Sequence, residues 1–127
     1  MKYKAILFDM DGTLVPMDMH VFSKNYFKLL YVKLAKFGLD PESFASNIWA
    51  SVGAMVKNDG SQSNEKVFWK KFEELTGVSY DEAGETCNEF YANEFKQAKA
   101  FTGENPLAME AVKIAREKAD KVVLSTN

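Results

Sequence analysis

Tyr3-Lys4-Ala5-Ile6-Leu7-Phe8-Asp9-Met10-Asp11-Gly12-Thr13-Leu14-Val15 is the stretch on which the fold turns. Residues 4–8 read as a strand in which Ala5-Ile6-Leu7-Phe8 is a short, continuous apolar run, the composition expected of a strand buried on both faces of a parallel sheet. The run ends abruptly in two carboxylates one residue apart. Two acids at the tip of a buried strand cost free energy unless something there uses their charge. Gly12 supplies backbone freedom for the loop over 9–15, and Pro16 disfavours a helix immediately before it. Asp11-Gly12 between apolar runs is also a hairpin signal, which predicts a partner strand directly after Gly12. Pro16, Met17 and Asp18 lead into a helical period instead, so the hairpin is set aside. At the far end, Val122-Val123-Leu124-Ser125-Thr126-Asn127 is a second strand-like run that finishes in small polar groups.

The chain of 127 residues is 46% hydrophobic and 27% charged, a globular composition of one-domain length. The formal net charge is −2 with acids and bases interspersed, which argues against a nucleic-acid or polyanion partner. No apolar run approaches the roughly 20 residues of a membrane helix, and the N-terminal apolar stretch is too short for a signal peptide. The single cysteine, Cys87, forbids an internal disulfide and fits a reducing, cytoplasmic setting.

From Asp18 to Phe37 the apolar period becomes helical, with Phe22, Tyr26, Leu29/Leu30, Leu34 and Phe37 on one stripe and Lys24, Lys28 and Lys36 on a solvated face. Gly38 is a C-terminal stop. Asp40-Pro41-Glu42 reads as N-cap, first-turn proline and first-turn acid of a second helix with stripe Phe44, Ile48, Val52 and Met55/Val56. Asn58-Asp59-Gly60-Ser61 ends it. A third helix spans Asn64 to Thr76, with Phe68, Phe72 and Leu75 inward. Ser79-Tyr80-Asp81-Glu82 fits a capping box opening a fourth, which carries Ala83, Cys87, Phe90/Tyr91 and Phe95. After the connector Phe101-Thr102-Gly103-Glu104, Asn105-Pro106 starts a fifth helix with Leu107, Ala111, Ile114 and Ala115 on its buried face. The order is strand, four helices, one more helix, strand. It predicts an α/β class in which residues 18–100 form a helical bundle inserted into a core made of 1–17 and 101–127.

Asp9-Met10-Asp11-Gly12-Thr13-Leu14-Val15 after a strand resembles the first motif of the haloacid dehalogenase (HAD) superfamily, D-x-D-G-T-[LV]. The resemblance implies a Rossmann-like parallel sheet and, for the inserted helices, a C1-type α-helical cap. It implies that Asp9 is the nucleophile toward phosphorus and Asp11 the acid toward the leaving group, then base for water. Val122 to Asn127 resembles the superfamily's second motif, with Thr126 the preferred phosphate-holding residue and Ser125 the alternative. Gly12, Thr13 and Asn127 complete the expected phosphate contacts. An Asp at the second position is absent from dehalogenase and phosphonatase members, and transport ATPases carry Thr there. Asp11 therefore points to phosphate-ester hydrolysis on a small phosphorylated metabolite or to phosphomutase chemistry, with a non-catalytic binding module as the rival.

Elementary chemistry asks for the same roles. A carboxylate attacks an anionic phosphate only if their repulsion is cancelled, so a divalent cation is required, and Asp9 and Asp11 offer the hard oxygens that suit Mg²⁺. A second, partly desolvated carboxylate beside the first is pushed toward holding its proton. Gly12 lets the backbone pass close to a phosphoryl group, and the Thr13 hydroxyl is expected to brace the turn.

Other candidates carry less. His20 reads as a solvated helix-end histidine, Cys87 as a small core hydrophobe, and Trp49 and Trp69 as bundle core. Lys57 is undecided. The superfamily's phosphate-pairing Lys or Arg and its second acidic pair follow the second motif, and no residue here matches them. With two strands where such a core wants about five, a longer chain of about 200–230 residues or a partner chain is expected to supply the rest.

Overall fold

A computed structural model describes residues 2–126. It holds β1 (Ile6–Asp9), α1 (Met19–Leu34), α2 (Phe44–Val56), α3 (Asn64–Thr76), α4 (Tyr80–Ala92), α5 (Ala108–Lys118) and β2 (Val122–Ser125). Two 3-10 segments, Ala35–Phe37 and Glu94–Phe101, extend α1 and follow α4. The class is α/β: mostly helix, with a two-stranded parallel sheet. The chain divides into two compact units, residues 1–25 with 98–127, and residues 26–97.

The first unit contains the sheet. β1 and β2 pair in parallel with Ile6 opposite Val122, Leu7 opposite Val123, Phe8 opposite Leu124 and Asp9 opposite Ser125. Bonds from Tyr3 N to Lys118 O (2.8 Å) and from Asp120 N to Tyr3 O (3.0 Å) extend the pairing before β1. Helix α5 is the crossover that a parallel pair requires. It buries Ala115, and Ala119 just past its end, while Leu107 (65% exposed) and Ile114 (44%) lie open, contrary to the expected buried face. The strand also departs from expectation: Ile6 and Phe8 are half-buried but Leu7 is 62% exposed. One helix over two strands covers only part of the apolar surface that the composition provides. Pro106 and Leu107 form a turn, so α5 begins at Ala108 rather than at the Asn105-Pro106 pair.

The second unit is a helical cluster around Phe27, Leu30 and Leu34 of α1, Phe44 and Ile48 of α2, Phe72 of α3 and Phe90 of α4, closed by Leu39, Val78 and Ala83. Phe72 and Phe90 are almost wholly buried, each worth about 1.5–3 kcal/mol of transfer free energy. Phe27, absent from the expected stripe, packs edge-on against Trp49 with ring centroids 5.4 Å apart. Trp49 itself stays 51% exposed, Leu75 41% and Val56 82%, so these three are not core as expected. Trp69 is half-buried and packs edge-on against Phe68 and Phe72.

Local chemistry explains the helix ends. Asp18 Oδ1 accepts from the His20 and Val21 amides (2.9 and 3.0 Å) and starts α1. Asp40 Oδ2 accepts from Ser43 N (2.9 Å), capping a turn over 41–43 that precedes α2. Ser79 and Glu82 form both bonds of the expected capping box: the Glu82 amide donates to Ser79 Oγ (3.3 Å) and the Ser79 amide to Glu82 Oε2 (2.9 Å). Phe95 falls in the 3-10 segment rather than in α4, because the chain leaves helical geometry at Asn93, whose side chain donates to Glu89 O (2.9 Å). A period of 3.0 mimics 3.6 over one turn, which is why the sequence pattern runs on through the break. Among the described residues, no helix is long and apolar enough to cross a membrane.

Candidate active site

Asp9 is the last residue of β1 and Ser125 the last of β2, and the register sets them opposite one another. Adjacent strands run about 4.8 Å apart and paired residues share a face, so the carboxylate and the hydroxyl rise side by side from one side of the sheet. Thr126 follows Ser125 immediately and is exposed. Ser125, the second choice in the sequence, is thus the direct register partner of Asp9. Asn127 lies outside the described residues. In parallel α/β sheets the carboxyl ends of the strands are where ligands bind, because the chain turns away there and leaves loops and helix starts around an open space.

The loop after β1 folds on itself. Met10 O accepts from both Thr13 N (3.2 Å) and Val15 N (2.9 Å), and Gly12 N donates to Val15 O (2.9 Å). Gly12 adopts φ +76°, a left-handed conformation that a side chain would strain. Asp11 meets Val15 in a single bridge, not in a hairpin ladder. The amides of Gly12 and Thr13 are therefore already donated inside the loop. The Thr13 hydroxyl makes no hydrogen bond among the described residues, so the expected hydroxyl brace is replaced by backbone bonds and by Asn105.

Asn105 was legible only as a helix start. Its Oδ1 accepts from Leu107 N (3.0 Å), and its Nδ2 donates across 92 positions to Thr13 O (3.2 Å). Nearby, Gly103 N donates to Pro16 O (2.7 Å). The segment entering α5 thus grips the carboxylate loop at two points. No pattern in the sequence connects residues so far apart.

Asp9 and Asp11 are both exposed, and neither is the desolvated acid at a buried tip that the sequence suggested. The strand has one half-covered face and Asp9 lies on the other. Among the described residues no three His, Cys, Asp or Glu side chains converge; the carboxylates of the strand end and its loop over 9–15 are those of Asp9 and Asp11. That set suits Mg²⁺, which retains waters and takes one or two carboxylates plus substrate phosphate oxygens.

The remaining candidates sit elsewhere. His20 is exposed in the first turn of α1, and Lys57 is exposed at the end of α2. Cys87 is half-buried against the helical core, and burial pushes its thiol up to about 11. The chain matches no family model and no curated protein.

Proposed function

We propose that this chain carries the nucleophile of a Mg²⁺-dependent phosphohydrolase of the HAD superfamily, acting on a small phosphate monoester. The observation that carries the reading is the register of Asp9 with Ser125 at the carboxyl ends of two parallel strands, with the D-x-D-G-T loop folded tightly after the first. Asp9 Oδ attacks phosphorus and the ester P–O bond breaks, while Asp11 gives its proton to the departing oxygen. Water then attacks the aspartyl phosphate as Asp11 takes its proton, and phosphate leaves with Asp9 restored. Ser125 or Thr126 holds a phosphoryl oxygen through its hydroxyl. Asp9 and Asp11 would bind the Mg²⁺, which supplies neutralisation of the phosphate charge. The helical unit between the two motifs is read as a C1-type cap, and the setting as cytoplasmic.

The test is phosphate release from an aryl phosphate by the complete protein with Mg²⁺ or with EDTA, followed by acid-quench trapping of an acyl phosphate with hydroxylamine. Expected are Mg²⁺-dependent turnover, a trapped acyl phosphate, and a fall of roughly 10³-fold or more in Asp9→Asn. Full activity in Asp9→Asn overturns the assignment of the nucleophile. Hexose phosphates as substrates separate hydrolysis from mutase transfer by their products.

One observation favours a second reading, a non-catalytic module: among the described residues no three His, Cys, Asp or Glu side chains group together. Binding of Mg²⁺ and phosphate without turnover is its signature.

A further inference from the structure

We infer that Asn105 is a positioning residue for the Asp9–Asp11 loop, an inference that rests on the phosphohydrolase reading for its consequence but not for its geometry. The half-buried side chain uses both ends of its amide: Oδ1 accepts from Leu107 N at 3.0 Å and Nδ2 donates to Thr13 O at 3.2 Å. The first bond is an Asx-turn, which a short carbonyl side chain forms with its own backbone two residues on. That turn fixes the side chain, so the amide hydrogens are aimed before the loop arrives. The second bond fixes the peptide that follows Thr13. Thr13 N and Val15 N both donate to Met10 O, so holding the Thr13 carbonyl holds the turn that carries Asp11. Gly103 N to Pro16 O, at 2.7 Å, secures the loop's exit from the same segment. The geometry therefore orients the acid through a residue that touches neither substrate nor the reacting atoms.

Asn105→Asp separates this role from simple helix initiation. An aspartate retains the oxygen that accepts from Leu107 N, but its second oxygen meets the Thr13 carbonyl with no hydrogen between them. Asn105→Ser, which keeps an oxygen near Leu107 N and lacks the reach to Thr13, guards against an effect of the added charge. Three measurements on each variant decide it: far-UV circular dichroism with thermal melting, amide exchange with water at Thr13 and Val15 by saturation-transfer NMR, and steady-state kinetics on the aryl phosphate.

Expected are an unchanged helix content, amide exchange about five- to tenfold faster at Thr13 and Val15, and a kcat lowered about tenfold with KM little changed. Exchange at Thr13 and Val15 equal to that of the unaltered chain overturns the inference, whatever the kinetics. If the unaltered chain shows no turnover, the phosphohydrolase reading fails while the exchange measurement still decides the positioning role. Loss of helix content in both variants assigns Asn105 to folding alone and also overturns the proposal.

Discussion

Asp9 and Asp11 stand two positions apart in the sequence, but the backbone treats them differently. Asp9 closes the strand ladder opposite Ser125, whereas Asp11 rides on a turn whose amides are spent inside the loop. The first position is set by the sheet and the second by the loop, a difference that matches the distinct roles proposed for the two acids. Elsewhere, single residues show what burial does to titratable groups. Tyr26 and Tyr91 share a hydroxyl–hydroxyl hydrogen bond, and burial raises the Tyr26 phenol strongly. Tyr91 keeps about half its surface in solvent, and its partial burial lifts its phenol in the same direction. Cys87, raised by burial to about 11, holds its proton at neutral pH and is a poor nucleophile. Iodoacetamide labelling of Cys87 at pH 8 is therefore expected to run roughly ten- to a hundredfold slower in the folded chain than after urea unfolding. Equal rates in the two states would show that the thiol is not shielded.

At the scale of the element, α4 contains a glycine that the sequence pattern does not account for. Gly84 is buried one turn after Tyr80, and a Cβ there would stand 2.6 Å from Tyr80 Cε2. The Tyr80 ring lies in that space and packs edge-on against Trp69, centroids 5.4 Å apart. Alanine at an unencumbered helical glycine stabilises by about 1 kcal/mol. Here it must displace the ring, at a cost of about 0.5–1.5 kcal/mol in aromatic contact. Urea denaturation of a double-mutant cycle reads this out. Gly84→Ala is expected to be near neutral alone and to stabilise by about 1 kcal/mol in the Tyr80→Ala background. An equal effect in both backgrounds would mean that the ring moves aside freely. The capping box of the same helix shows the opposite case. Serine followed three residues later by glutamate encodes its own hydrogen bonds, and both form.

At the scale of the whole molecule, the perturbed groups all lie within residues 26–97 and point the same way on each side of neutrality. Asp40, Asp59, Glu82 and Glu94 are held below their ordinary values, the first three by hydrogen bonds from neighbouring serines and Glu94 by Lys33 at 2.8 Å. Their folded forms favour the carboxylate, so their contribution is present above pH 4.5 and is lost as pH falls below it. Cys87, Tyr26, Tyr91 and Lys33 are raised, so their folded forms favour the proton. The Cys87 contribution is complete below 9.0 and disappears by about 11, and those of the tyrosines and Lys33 are likewise present at neutral pH and lost on the alkaline side. The melting temperature followed by circular dichroism is expected to be flat from about pH 5 to about pH 9 and to fall on both sides. A maximum above pH 10 would contradict these assignments. The sequence by itself determined the order of the elements, the capping box of α4 and the two candidate motifs, because period and capping act over a few neighbouring residues, whereas the starts of α2 and α5 fall later than their Asp40-Pro41 and Asn105-Pro106 signals. Only the tertiary structure decided that Ser125 is the partner of Asp9, that Asn105 holds Thr13, and that Leu7, Leu107 and Ile114 stay open. Register, a hydrogen bond across 92 positions and the covering of an apolar face each depend on which distant segments come together, and no local pattern in the chain encodes that.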